Sequence, residues 1–234
     1  MSGKRASIDL WSPGPWADYS ELSDALQRAG DVGHPPSPVF DLLPREPLLA
    51  EWMQHGSGDA FDAATLAAIA EHRSIGRVQI QVAGADLAAR LRDVADVIAR
   101  AGGLGVRLAR CGLAHPWSRW RQFLGEGEPA GLQKALVVQV SNAQRGRIDS
   151  FGMNQFGLPD ASYDGDDILD PDATWMVFAF GVYLRTETPK LNDGDLFEIA
   201  EDMPPLRLMH EADDRFAVDD PFFNPHGIWC LTPE

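Results

Sequence analysis

The chain has 234 residues, 44% of them hydrophobic, and a formal net charge of −15, which fits one large domain or two small lobes with a proper core. Two cysteines, Cys111 and Cys230, are too few for a disulfide scaffold, and no apolar run has the length of a signal peptide or a membrane-spanning helix. We therefore expect a soluble, cytoplasmic protein with reduced thiols.

The negative charge is concentrated in the last third of the chain. Residues 1–150 hold 16 Lys and Arg against 17 Asp and Glu, whereas residues 151–234 hold 4 against 18. Such a segment repels nucleic-acid phosphates and attracts basic protein surfaces. The composition argues against a nucleic-acid partner. It leaves two interpretations, a surface that keeps the protein soluble or a surface that binds a basic protein.

In chain order, the residues up to 73 predict strands and helices around a proline-rich loop. Period-2 alternation indicates a strand, apolar residues that recur every three or four positions indicate helices, and five prolines between 31 and 47 interrupt both patterns. Asp62 is the predicted N-cap of the third helix. The predicted segments are a strand at 7–11, helices at 19–29, 48–55 and 62–72, and a brief strand at 39–43.

Residues 74–112 predict a strand–helix–strand unit. Valine and isoleucine alternate with polar residues between 78 and 82, which is typical of a half-buried strand. After Asp86, the predicted N-cap, the apolar residues share one side of a helix. Two glycines at 102 and 103 end that helix, because glycine adopts the left-handed conformation at low cost. A second strand follows at 106–109.

The remaining residues predict further strands and helices of an α+β fold. We expect one mixed sheet flanked by helices, with a core lobe at 1–150 and a smaller acidic C-terminal sub-lobe at 151–234, packed together as one compact unit. The predicted segments are a helix around Trp117, Trp120 and Phe123, a central strand at 134–141, an acidic loop at 160–170, a helix at 171–186 that also suits a strand, and strands at 195–200 and 206–210.

The sequence shows no recognisable catalytic or metal-binding constellation. None of the six histidines has a His, Cys or carboxylate at the spacing of a zinc site. The acidic run at 160–170 lacks the residue order of a calcium loop, and the glycines at 102–105 follow a helix, whereas those of a phosphate loop open one. Cys111 has no evident histidine partner. We therefore predict no cofactor and no metal.

Three sequence blocks resemble a bacterial family known only as a domain of unknown function. They are EHRSIGRVQIQVAG with VIARAGGLGVRL, then RIDSFGMNQFGLPD, which is similar to a T-x-G-x-x-x-F-G-x-P-E pattern, and YLRTETPKLNDGDLFEI, which is similar to a Y-L…L-x-D-G-D segment. Ser150 stands where Thr is usual, and Asp160 where Glu is usual. The resemblance implies no established activity and no catalytic residues. Some such acidic proteins are encoded beside secreted toxins.

The leading hypothesis is a protein-binding module without catalytic activity, an immunity or inhibitor protein whose acidic last third binds a basic toxin. The residues predicted to contact this partner are Asp164, Asp166, Asp167, Asp170, Asp213, Asp214, Asp219 and Asp220. The alternative is an enzyme of unknown reaction with a site assembled from Asp164, Asp166, His210 and His226. A third hypothesis, a structural part of a larger assembly, predicts a large exposed apolar patch. The sequence leaves the oligomeric state open.

Overall fold

A computed structural model of the chain describes residues 5–30, 38–83, 86–125, 129–142, 146–165, 171–200 and 203–234. Within these ranges the chain forms seven α-helices and eleven strands. They belong to two compact units, Met1–Ala135 and Leu136–Glu234, and each unit has its own sheet. The predicted α+β class is confirmed, with two sheets in place of the single mixed sheet.

The first unit is built on a five-stranded antiparallel sheet. Its elements are β1 (Arg5–Gly14), α1 (Tyr19–Ala29), β2 (Val39–Pro44), α2 (Leu49–Ser57), α3 (Ala63–Ala70), β3 (Ser74–Ala83), α4 (Leu87–Arg100), β4 (Val106–Leu108), β5 (Ala114–His115) and α5 (Trp117–Gly125), and α6 (Ala130–Leu136) spans the boundary. The strand order is β2-β3-β1-β4-β5. One core cluster joins α2 and α3 to the sheet through Leu49, Met53, Phe61, Ile69, Ile75 and Ala114.

The predicted strand–helix–strand unit is present as β3, α4 and β4, but its two strands are not neighbours. Both pair antiparallel with β1, one on each side. The two strands are therefore parallel to each other, with β1 inserted between them. Local periodicity gives the type of each element, but it does not reveal a strand inserted from a distant part of the chain.

The helix caps follow the sequence closely. The Asp62 carboxylate accepts a hydrogen bond from a first-turn amide of α3 at 2.7 Å, which confirms the predicted cap. Asp86 occupies the N-cap position of α4, but its side chain makes no capping hydrogen bond. At the other end of α4, Gly102 has a φ of +100°. The amides of Gly102 and Gly103 donate to carbonyls of the last helical turn, which is the Schellman arrangement.

The second unit is built on a six-stranded sheet with one parallel pair. Its elements are β6 (Val138–Asn142), β7 (Arg147–Phe151), a 3-10 helix (Met153–Phe156), β8 (Asp160–Asp164), α7 (Pro171–Glu187), β9 (Leu196–Phe197), β10 (Leu206–Glu211) and β11 (Ile228–Pro233). The strand order is β6-β7-β8-β11-β10-β9, and β8 and β11 are the parallel neighbours. Helix α7 packs on β6, β7 and β8, which confirms the helix predicted at 171–186.

Two predicted segments near the start of this unit are wrong. The strand predicted at 134–141 divides into the end of α6 and β6, and β6 is an edge strand with Val140 44% exposed. A short apolar run does not show whether a strand is buried on one face or both. The predicted acidic loop begins instead as β8, where Asp160 is only 1% exposed. Residues 166–170 of that predicted loop lie outside the described residues.

The boundary predicted at residue 150, between the core lobe and the acidic sub-lobe, falls inside β7, and the division into compact units occurs earlier in the chain. The first two strands of the second sheet, β6 and β7, precede that position and pair with each other, and β7 then pairs with β8. The boundary between the two compact units therefore lies in the sequence between Ala135 and Leu136. None of the described helices combines the length and the apolarity needed to cross a bilayer.

Candidate functional site

The residues proposed for an enzyme site do not converge in the described structure. Strand pairing places His210 in one row with Trp229 and Ala161. Asp164 lies three residues beyond Ala161 on β8. Side chains alternate along a strand, so Asp164 and His210 are on opposite faces of the sheet. The imidazole Nε2 of His210 donates to the backbone carbonyl of His226 at 2.9 Å.

A metal-binding cluster is also absent from the described ranges. Asp166 lies outside them, and no group of three or more His, Cys, Asp or Glu side chains within them could hold a metal ion. Burial raises the pKa of the Cys230 thiol to about 12, so its thiolate is scarce at neutral pH. The Cys230 thiol therefore lacks the lowered pKa of an activated nucleophile. Cys111 is buried.

The eight carboxylates predicted to bind a partner fall into three groups. Asp166, Asp167 and Asp170 lie outside the described residues. Asp164, Asp214 and Asp219 are exposed, and Asp220 is half-buried. Asp213 was predicted as a surface contact, but it is buried, and its side chain is fully enclosed next to Arg215. It belongs to the interior of the second unit and not to a docking surface.

Arg215 organises a buried ionic cluster on the face of the second sheet opposite α7. Its side chain is only 4% exposed. Nε donates to Asp213 Oδ1 at 2.9 Å, and Nη2 donates to Asp160 Oδ2 at 3.0 Å. Asp149 Oδ1 lies 3.5 Å from Nη1, which also donates to the carbonyl of Ser150 at 3.1 Å. One guanidinium therefore joins β7 and β8 to the segment between β10 and β11.

The carboxylates of this cluster are held by further hydrogen bonds. The second oxygen of Asp213 accepts from the amide of Asn224 at 2.9 Å, and the second oxygen of Asp160 accepts from the amide of Met153 at 3.1 Å. Asp149 accepts from a second arginine, Arg147, at 3.0 Å. Charged groups in the interior are tolerated when every partner is satisfied in this way. The cluster therefore anchors residues 212–224 on the sheet.

Two carboxylates of the cluster have opposite pKa shifts. Burial raises the pKa of Asp160 to about 6, although the charge of Arg215 acts in the other direction. Burial also acts to raise the pKa of Asp213, but the hydrogen bonds from Arg215 and Asn224 outweigh it and hold the pKa below its usual value. Three carboxylates share the positive charge of two guanidiniums, so one negative charge is not fully neutralised. The raised pKa of Asp160 reflects this excess of negative charge.

Asp160 should make the second unit more stable in mild acid. Its pKa is about 6 in the fold and 3.8 in the unfolded chain, so its contribution is present below 3.8 and is lost as the pH rises through 6. Between pH 7 and pH 5 the expected gain is about 1 kcal/mol. The free energy of unfolding of Asp160→Asn, measured with urea, should not show this increase between pH 7 and pH 5. Asp164→Asn, which changes an exposed residue on the same strand, should still show it. If the free energy of unfolding changed with pH equally in the two variants, the assignment of this pH dependence to Asp160 would be contradicted.

A shallow depression on the second unit brings together two of the blocks that carry the family resemblance. It has a volume of about 380 Å³ and is lined by Pro159, Leu191, Asn192, Asp193, His210 and Trp229. Asp193 Oδ1 accepts from the backbone amide of His210 at 2.8 Å, and the rings of His210 and Trp229 are 4.9 Å apart. The groups suit binding better than bond-making, because no nucleophile stands beside a base.

No protein-family profile, curated protein or solved structure matches the chain. The resemblance to a domain of unknown function therefore stays a prediction. Arg215 is the residue that sequence reasoning missed. It is the only Lys or Arg after Arg207, and it follows two aspartates directly. A single cation in an acidic run is the signal that could have identified it as a buried partner.

Proposed function

We propose that the protein is a binding module without catalytic activity of its own, which docks a basic protein partner on the acidic surface of its second unit. An immunity or inhibitor protein that neutralises a basic toxin would work in this way. The proposal rests on the charge that the second unit leaves on its surface, together with the lack of a metal-binding cluster among the described residues.

The observation that carries the proposal is that two arginines of the second unit are used in the buried ionic cluster, so their positive charge does not offset the carboxylates on the surface. Residues 136–234 contain six Lys and Arg against nineteen Asp and Glu. The buried cluster uses two of the arginines and three of the aspartates, which leaves four cations against sixteen carboxylates. Arg207, one of those four, is already paired with Glu234. The surface potential is therefore strongly negative, and such a field accelerates encounter with a positively charged protein.

The described members of the predicted contact set are associated with one side of the second sheet. Asp164 points to the face opposite α7, by the alternation of side chains along β8. Asp214, Asp219 and Asp220 belong to the segment that Arg215 anchors over that same face. The rings of Phe216 and Phe151, 5.6 Å apart, add an apolar contact between the segment and β7. Asp164 is held on β8 and the other three carboxylates on the anchored segment, which limits the entropy cost of binding.

Binding should weaken steeply with salt and depend on these carboxylates. The test is isothermal titration of the purified protein with the product of the adjacent gene, at 50 and 500 mM NaCl. We expect at least a tenfold loss of affinity at high salt. The triple variant Asp164→Asn, Asp214→Asn, Asp219→Asn should slow association by about tenfold at low salt.

The matched control carries the same change of charge in the first unit. Asp24, Glu51 and Asp93 are exposed, and the triple variant Asp24→Asn, Glu51→Gln, Asp93→Asn should bind within about twofold of the parent protein, because these carboxylates are not part of the proposed contact surface. Binding that is insensitive to salt, equal weakening by both triple variants, or no binding at all would each count against the proposal.

A further inference from the structure

Arg107, on β4 of the first unit, is a half-buried cation that pairs with no carboxylate among the described residues; the acidic group that interacts with it electrostatically is the Cys111 thiol. Its guanidinium carbon lies 5.6 Å from the centre of the Trp11 ring and 5.4 Å from that of Trp52. Within the part of the chain that the structure describes, its side chain forms no ion pair with a carboxylate and no hydrogen bond, and its Nε is fully buried without an acceptor. Burial also lowers the pKa of Arg107, because a cation is disfavoured where water is excluded.

A second unsatisfied donor lies beside it. Trp11 is directly opposite Arg107 in the pairing of β1 with β4, and the indole Nε1 of Trp11 is buried without an acceptor. Buried donors are normally paired, so two on neighbouring side chains require an explanation. The neighbouring cation on the same sheet face shows the usual solution, since Arg77 binds the Asp9 carboxylate through Nε at 3.1 Å.

The chemistry of the missing partner follows from the groups present. Indole Nε1 and guanidinium nitrogens are donors only, so the partner must supply acceptors, and the unpaired cation requires that they carry negative charge. Trp52 is 36% exposed, and Leu48, one helical turn before it, is 51% exposed. These side chains offer an apolar surface next to the guanidinium for the body of a ligand.

The charge of the first unit permits an anion to approach. Residues 1–135 contain fourteen Lys and Arg against sixteen Asp and Glu, so this unit lacks the strong negative field of the second one. We propose that Trp11, Arg107 and Trp52 form a binding site for a small ligand that carries a carboxylate or phosphate group on an aromatic ring. The oxyanion takes the free N–H groups of Arg107, and the ring packs on Trp52.

The test is calorimetric titration of the full chain, with tryptophan fluorescence as a second readout. The probes are benzoate, phenyl phosphate and inorganic phosphate, and the comparison among them separates carboxylate from phosphate and shows what the ring contributes. We expect at least one ring-bearing probe to bind and to quench tryptophan emission. Inorganic phosphate should bind at least tenfold more weakly than phenyl phosphate.

Substitutions at Arg107 test whether the ligand binds at this residue. Arg107→Gln should weaken binding of the ring-bearing probe by at least tenfold, and Arg107→Lys should be intermediate because it keeps the charge and loses the planar fork. The control, Arg110→Gln, should bind within twofold of the parent protein. Trp52→Leu changes an exposed side chain and should weaken the ring-bearing probes while leaving inorganic phosphate unchanged.

Three outcomes would overturn the site, two in the binding measurements and one in thermal unfolding. The first is that none of the three probes binds, in which case an ordered water accepts from Trp11 and Arg107. The second is that Arg107→Gln binds as tightly as Arg110→Gln. Thermal unfolding gives an independent readout, since Arg107→Met removes an uncompensated buried cation and should leave the melting temperature unchanged or higher. A large loss of stability in Arg107→Met would make the arginine a structural group and would contradict the proposal.

Discussion

Replacement of Arg215 with methionine is expected to destabilise the second unit by about 3–5 kcal/mol, because the removal of one partner leaves buried charges uncompensated. Asp149, Asp160 and Asp213 would all lose a cation that is 4% exposed in the native protein. The measurement is urea unfolding, with hydrogen exchange at the amides of β8 and β11 to report the second unit separately.

An exposed arginine of the same unit provides the control. Arg207 pairs with Glu234 at the surface, with side-chain exposures of 50% and 34%, so Arg207→Met should cost less than about 1 kcal/mol. Addition of Asp160→Asn to Arg215→Met should recover part of the loss, since it removes one of the stranded charges. If Arg215→Met costs no more than Arg207→Met, the cluster does not anchor the segment that carries Asp214 and Asp219.

Acidification from pH 7 to pH 5 is expected to destabilise the first unit by about 2 kcal/mol through His115. Burial lowers the pKa of this histidine to about 4, from a usual value of 6.5. The neutral ring donates from Nε2 to the carbonyl of Ala135 at 3.0 Å and lies against the rings of Trp120 and Phe123. The stability that the neutral ring contributes is therefore complete above pH 6.5 and is lost as the pH falls toward 4.

His115→Gln should flatten this acid dependence. A glutamine can keep the hydrogen bond to Ala135 and does not ionise, so the variant should be less stable at pH 7 but should lose less stability on acidification. Hydrogen exchange at the amides of β4 and α5, measured at pH 7 and pH 5, reports the first unit. His55→Gln, which changes an exposed histidine, should keep the dependence of the parent protein. An unchanged pH slope in His115→Gln would contradict the role of this ring.

The elements that could be predicted from the sequence are those with strong local signals. The helix predicted at 19–29 has those bounds in the structure, and the glycines after α4 end it in the predicted way, because periodicity and caps depend on neighbouring residues only. The pairing of strands could not be predicted. β1 separates β3 from β4, and β11 separates β8 from β10, and both arrangements depend on residues far apart in the chain.

The candidate surface was only partly predictable for the same reason. Asp213 and Asp214 are adjacent and chemically identical, yet the first is buried against Arg215 and the second is exposed. Composition predicts that the last third is acidic but not which carboxylates point inward. The surroundings of Arg107 could likewise not be predicted from the sequence. The alternation in β4 predicts that Arg107 faces away from Leu108, but its position over the rings of Trp11 and Trp52 is visible only once β1 and α2 are in place.

The position of β11 constrains how the second unit can form during synthesis. This strand, Ile228–Pro233, is the last described element in the chain, yet it is bonded to β8 on one side and β10 on the other. Until those residues leave the ribosome, any sheet that β6, β7 and β8 form has an unpaired edge at β8, and β10 lacks its partner β11. The nascent chain therefore exposes strand edges that can pair with other chains, so chaperone contact in this interval would protect it from aggregation.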